Sequence, residues 1–134
     1  MLVSDDLQAV KLCDFGVSRV KTQLQQTMTM NITATQAFMA PETLLKGVNQ
    51  IFETDMWAAG TTILKIFLQR DPWDRPPAGV TLAEFMRAQM NEKKAPHALA
   101  ALQQKSSALY RKTKPLLSYV EKKRPTAKEA YEDW

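Results

Sequence analysis

A chain of 134 residues, 45% hydrophobic and 24% charged, is sized for a single globular domain. Its four glycines, Gly16, Gly47, Gly60 and Gly79, stand too far apart to build a phosphate-wrapping glycine loop, so a nucleotide would not find that cradle here. One cysteine (Cys13) and one histidine (His97) exclude an intrachain disulfide, a His/Cys zinc site made by this chain alone, and any Ser-His-Asp triad without His97.

The formal charge of +4 is local: residues 105–124 hold seven cations against one acid, Glu121. This run reads as a solvated helical face, and nucleic acid is not an expected partner. Asp5 and Asp6 sit near a start that has neither a basic nor an apolar stretch, so no secretory signal is expected. The most apolar stretch, 56–68, contains Lys65 and falls short of the roughly 20 residues that span a bilayer. A lone cysteine fits a reducing compartment. The expectation is an intracellular, cytoplasmic protein with no membrane contact.

In chain order, Leu2-Val3 and Val10 to Cys13 predict two short strands joined by a turn at Ser4-Asp5-Asp6, a hairpin at the N-terminus. Residues 17–40 keep no period and hold six hydroxyl residues, Ser18, Thr22, Thr27, Thr29, Thr33 and Thr35. A loop this long inside a compact domain is uncommon, and is usually functional or disordered. Pro41-Glu42 predicts a short helix, ended by Gly47. Thr54 or Asp55 is expected to cap a helix running to about Gln69, apolar on nearly every side and therefore covered all round. Residues 71–77 form a proline-rich loop. Thr81 with Glu84, and Thr126 with Glu129, have the spacing of capping boxes and mark two helix starts. Between them, 95–109 and 114–120 look helical, with Leu99, Leu102, Leu109, Leu116 and Leu117 in the core. The fold class is mainly α with a short β-hairpin at the N-terminus.

Four separated motifs then occur in one order: Asp14-Phe15-Gly16, Ala40-Pro41-Glu42, Asp55-Met56-Trp57-Ala58-Ala59-Gly60 and Arg124-Pro125-Thr126. Together they resemble the C-terminal lobe of a eukaryotic-type protein kinase of the Ser/Thr type. Lys11 to Ser18 is similar to the MAP-kinase-kinase and related STE groups. The resemblance covers nearly the whole chain but about half of a kinase domain, so 1–134 is expected to be a partial kinase domain, the C-lobe, with 14–42 as its activation segment.

The resemblance implies roles for particular residues. Asp14 would hold the Mg²⁺ that neutralises ATP phosphates, at a turn completed by Gly16, and Phe15 would pack into the core and report active or inactive loop states. Glu42 and Arg124 would form a buried ion pair clamping the end of the segment. Asp55 would accept backbone hydrogen bonds from the catalytic loop, and Trp57 follows it in the same motif. Thr27, Thr29 and Thr33 are candidate phosphoacceptors, and Thr35 matches the threonine ahead of Phe38-Met39-Ala40. The family pattern is broken at Ala34, where glycine is usual, and at Asn31, often the phosphoacceptor position.

The family's glycine-rich loop, ATP-binding lysine and His-Arg-Asp loop have no counterpart in these residues, so no catalytic residue is assigned. A parent enzyme would use ATP and Mg²⁺, with a protein substrate, an upstream kinase and the N-lobe as partners. This chain alone is expected to be inactive and to bind nucleotide poorly. The competing expectation is a non-catalytic, pseudokinase-like interaction module. An incomplete enzyme should expose the apolar surface of 56–68.

Overall fold

A computed structural model of the chain describes residues 2–4, 10–13, 36–47 and 51–134. It divides into two units, residues 1–30 and residues 31–134.

In the first unit, strands β1 (Leu2–Val3) and β2 (Val10–Lys11) pair antiparallel, with Leu2 opposite Lys11 and Val3 opposite Val10. Each is two residues long, and the turn expected at Asp5-Asp6 lies outside the described residues. Cys13, just beyond β2, is exposed.

All regular elements among the second unit's described residues are helices or 3-10 turns. A 3-10 turn (Gln36–Phe38) leads into α1 (Pro41–Lys46). Pro41 takes a first-turn position, where its missing N–H costs nothing, and Gly47 closes the helix at φ 63°, donating its N–H to the Thr43 carbonyl at 3.1 Å. Only glycine reaches that left-handed conformation without strain.

The central element is α2 (Phe52–Leu68). It begins earlier than the sequence suggests. Ile51 is the N-cap residue, and Thr54, expected to cap, is the third residue of the helix, where its hydroxyl donates to the Ile51 carbonyl at 2.6 Å. Nor is the helix covered all round. Thr54, Trp57, Gly60, Thr61, Leu64 and Leu68 form a buried face, whereas Phe52, Ile66 and Phe67 are 67%, 58% and 45% exposed. Hydropathy could not separate the two faces, because both are apolar. Buried Thr61 donates back to the Trp57 and Ala58 carbonyls at 3.2 and 3.0 Å, so its hydroxyl is satisfied within the helix, whereas the buried indole N–H of Trp57 on the same face has no partner among the described residues.

The loop after α2 buries Pro72 and Trp73 and leads to α3 (Leu82–Asn91). Both expected capping boxes are formed. Thr81 and Thr126 each accept from the N–H three residues on at 3.2 Å, and Glu84 and Glu129 reach back to the threonine N–H at 2.8 and 2.7 Å. The predicted single helix over 95–109 is two helices, α4 (Ala98–Lys105) and α5 (Ser107–Thr113), parted at Ser106. Ser106 is extended and caps α5 through the Leu109 N–H at 3.2 Å, a local bond that outcompetes helix continuation. Residues 114–120 are also not a regular helix: a 3-10 turn (Lys114–Leu117) gives way to extended backbone. A second 3-10 turn (Glu121–Lys123) precedes α6 (Ala127–Asp133), which buries none of its residues.

The buried face of α2 lies against the Lys114–Leu117 turn, α4 and the Gln36–Phe38 turn, while α3 packs on α1. Trp57, Leu64, Met86, Met90 and Leu102 lie at the centre of this core, each fully buried. Burial of side chains this size is worth about 1.5–3 kcal/mol each. Among the described residues no helix is long and apolar enough to cross a membrane.

Candidate functional site

The one deeply buried charge pair of the described residues joins α1 to the segment before α6. Glu42 and Arg124 are 2% and 5% exposed. The carboxylate faces the guanidinium fork-on, with Nη1 to Oε1 at 2.6 Å and Nη2 to Oε2 at 2.8 Å. Two further guanidinium N–H groups are used on backbone: Nη1 donates to the Glu53 carbonyl at 2.7 Å and Nε to the Ser118 carbonyl at 2.8 Å. Four of the five N–H donors of an arginine are thus engaged, which is the condition under which a buried pair survives its desolvation cost.

The guanidinium also lies over the Trp57 ring, 5.1 Å from its centroid. The flat, delocalised cation suits an aromatic face better than an ammonium would, so lysine could not stand in here. Tyr119 meets the same indole edge-on at 5.4 Å and donates its hydroxyl to the Lys94 carbonyl at 2.6 Å. Burial pushes its phenol up to about 12. One arginine therefore ties together the first turn of α1, the first turn of α2 and the approach to α6, with Trp57 as the floor.

By contrast, the surface link between the same regions, Lys46 to Glu121 at 3.8 Å, is exposed and worth little. The cations of 105–124 do not act as one patch: Arg124 is interior, Lys112 pairs with Asp133 at 2.9 Å, and Lys114 lies over Tyr110.

Of the residues singled out in the sequence, Glu42, Trp57 and Arg124 come together in this cluster. Asp55 does not: it is exposed one position into α2 beyond Thr54. Asp14, Phe15, Gly16, Thr27, Thr29, Thr33 and Thr35 lie outside the described residues. Three contributors were not foreseen. The Glu53 and Ser118 carbonyls carry no side-chain signature, and Tyr119 is recognisable only once Lys94 is brought near it by the α3–α4 turn.

Comparison with known proteins gives this arrangement its family. The model of the protein kinase domain matches residues 1–134. The chain belongs to the protein kinase domain family. Curated relatives are similar over part of it: the MAP kinase kinase skh1/pek1 of Schizosaccharomyces pombe is 39% identical over 70 residues, 52% of this chain and 18% of that protein. The RasGEF domain-containing serine/threonine-protein kinase X of Dictyostelium discoideum is 30% identical over 80 residues, 57% of this chain and 8% of that protein. The chain matches less than a fifth of the length of either.

Proposed function

We propose that these residues are the C-terminal lobe portion of a serine/threonine protein kinase domain, running from a hairpin ahead of Asp14-Phe15-Gly16 to the last helix. The observation that carries the reading is the Glu42–Arg124 pair. It anchors the end of a segment, 14–42, that starts at a carboxylate suited to Mg²⁺ and ends where a protein substrate would lie.

In this reading Asp14 is the metal-binding residue, Phe15 and Gly16 shape its turn, and Glu42, Trp57 and Arg124 hold the far end of the segment still. Asp55 is the acceptor for backbone of the catalytic loop. Thr27, Thr29 and Thr33 lie where phosphorylation would add charge for an arginine to pair with, and Thr35 borders the substrate. The activity of the parent is transfer of the γ-phosphoryl of ATP to Ser or Thr of a protein. Mg²⁺ would supply charge neutralisation of the phosphates.

The 134 residues contain a single histidine, His97, followed by Ala98, so no His-Arg-Asp sequence and hence no catalytic base of the family type is present. Phosphoryl transfer depends on positioning several groups at once, and Asp14 alone cannot do so. The exposed Ile66 and Phe67 at the end of α2 support the same reading, as apolar surface that the rest of a domain would cover.

The test is a chimera that places the portion of the fission-yeast relative preceding its matching segment in front of this chain. ATP-dependent protein phosphorylation that vanishes with Asp14→Ala is expected from the chimera, and none above that control from the 134 residues alone. Robust Asp14-dependent turnover by the chain alone, or a folded chimera indifferent to Asp14, would overturn the reading.

A further inference from the structure

His97 stands where three parts of the helical unit meet. Its ring stacks on Phe85 of α3, centroids 5.8 Å apart and planes 25° from parallel, and meets Trp73 of the preceding loop edge-on at 5.8 Å. Its Nδ1 accepts the Asp74 backbone N–H at 3.2 Å, and the Asp74 carboxylate lies 3.8 Å from the same nitrogen. One residue further on, the Ala98 N–H donates to the Pro72 carbonyl at 3.0 Å. Two adjacent bonds thus fasten the loop to the start of α4, and one of them runs through a titratable ring.

An imidazole can accept at Nδ1 only while its single proton is on Nε2. We propose that His97 is a proton-operated latch: on taking up a proton, Nδ1 ceases to accept the Asp74 N–H and donates to the Asp74 carboxylate instead. The loop backbone is released at that point, whereas the ring keeps its seat, because an imidazolium over the Phe85 face gains a cation–π attraction. The Ala98–Pro72 bond involves no titrating group and stays.

The charges around the ring are accounted for. From the loop, the Asp74 carboxylate is already held by Arg70 at 3.2 Å, and Asp71 is turned to Lys65 at 2.7 Å. On α3, Arg87 points to the Leu44 carbonyl at 3.5 Å and Glu84 is bound into its cap. Ahead of α4, Lys94 and Glu92 pair with each other. The loop leads straight into Thr81, the cap of α3, and α3 rests on α1, so the latch governs how firmly the start of α3 is held.

His97 is the chain's only histidine, so one side chain carries the response. The test is a ¹H–¹⁵N NMR titration of the full chain from neutral to mildly acidic pH. The Asp74 amide resonance is expected to move with the midpoint of the His97 ring protons while the Ala98 amide stays in place. In His97→Asn the Asp74 shift should be lost. An Asp74 amide that is flat while the ring titrates, one that moves equally in His97→Asn, or Asp74 and Ala98 amides moving together would overturn the proposal. The wild-type comparison of the two amides decides the matter even if the variant does not fold.

Discussion

Gly60 of α2 faces Leu117 with no space for a side chain between them: a Cβ at Gly60 would lie 2.9 Å from Leu117 Cδ2 and 3.0 Å from Leu116 Cβ. The helix therefore approaches the Lys114–Leu117 turn at backbone distance. Glycine inside a helix costs about 1 kcal/mol relative to alanine, which the close approach offsets.

Gly60→Ala is accordingly expected to destabilise rather than stabilise. Overpacking of a filled core costs about 1–3 kcal/mol, more than the helical propensity returned. Denaturant unfolding of the variant should show a lower midpoint, and a rise in midpoint would mean that the turn moves aside freely.

Breaking the buried pair from one side should be costly. Glu42→Ala or Arg124→Met leaves an uncompensated buried group, for an expected loss of about 3–5 kcal/mol. The double replacement should lose less than the sum of the two. Arg124→Lys is expected to fail as well, because an ammonium reaches neither both carboxylate oxygens nor the Glu53 and Ser118 carbonyls together. Equal stability of the lysine variant would show that charge alone suffices.

Alkali should act through Tyr119. Its folded phenol titrates near 12, against an ordinary value of 10.0, because burial disfavours the phenolate. The contribution is fully present below pH 10.0 and is lost as pH rises from there through about 12, since the unfolded chain ionises first. Tyr119→Phe should remove that part of the alkaline instability, while losing the 2.6 Å bond to Lys94 at every pH. A wild-type and a variant with parallel alkaline curves would contradict this.

Acid should act on the two capping boxes. Hydrogen bonds from the Thr81 side chain and then its backbone hold Glu84 below the ordinary 4.5, and the Thr126 backbone and then its side chain do the same for Glu129. Depressed carboxylates stabilise above the unfolded value, and the gain fades as pH falls below 4.5 through the lowered folded values. Amide exchange in the first turns of α3 and α6 should quicken there before the α2 core opens. Thr81→Ala and Thr126→Ala should each cost about 1 kcal/mol at neutral pH.

The capping boxes and the Pro41 and Gly47 boundaries were legible because they are local: a few residues decide them whatever surrounds the chain. The start of α2 is misleading for the same reason in reverse. Thr54 and Asp55 are good caps by type, but the N-cap position falls to Ile51, whose carbonyl takes the Thr54 hydroxyl. The break at Ser106 was hidden inside a helical composition. The two faces of α2 could not be told apart by hydropathy, since Phe52 and Phe67 on the outside match Trp57 and Leu64 on the inside. In the cluster, the residue types were readable by resemblance, whereas the carbonyls that complete the arginine's coordination depend on chain crossings that no short stretch encodes.

The position of Arg124 also bears on how the molecule would come apart under a protease. Lys122 and Lys123 are exposed on the 3-10 turn just before it. A cut there leaves Trp57, Leu64 and Leu102 packed, yet it severs the covalent tether of the residue that grips α1. The core would survive the nick, and α1 would be the first helix to drift.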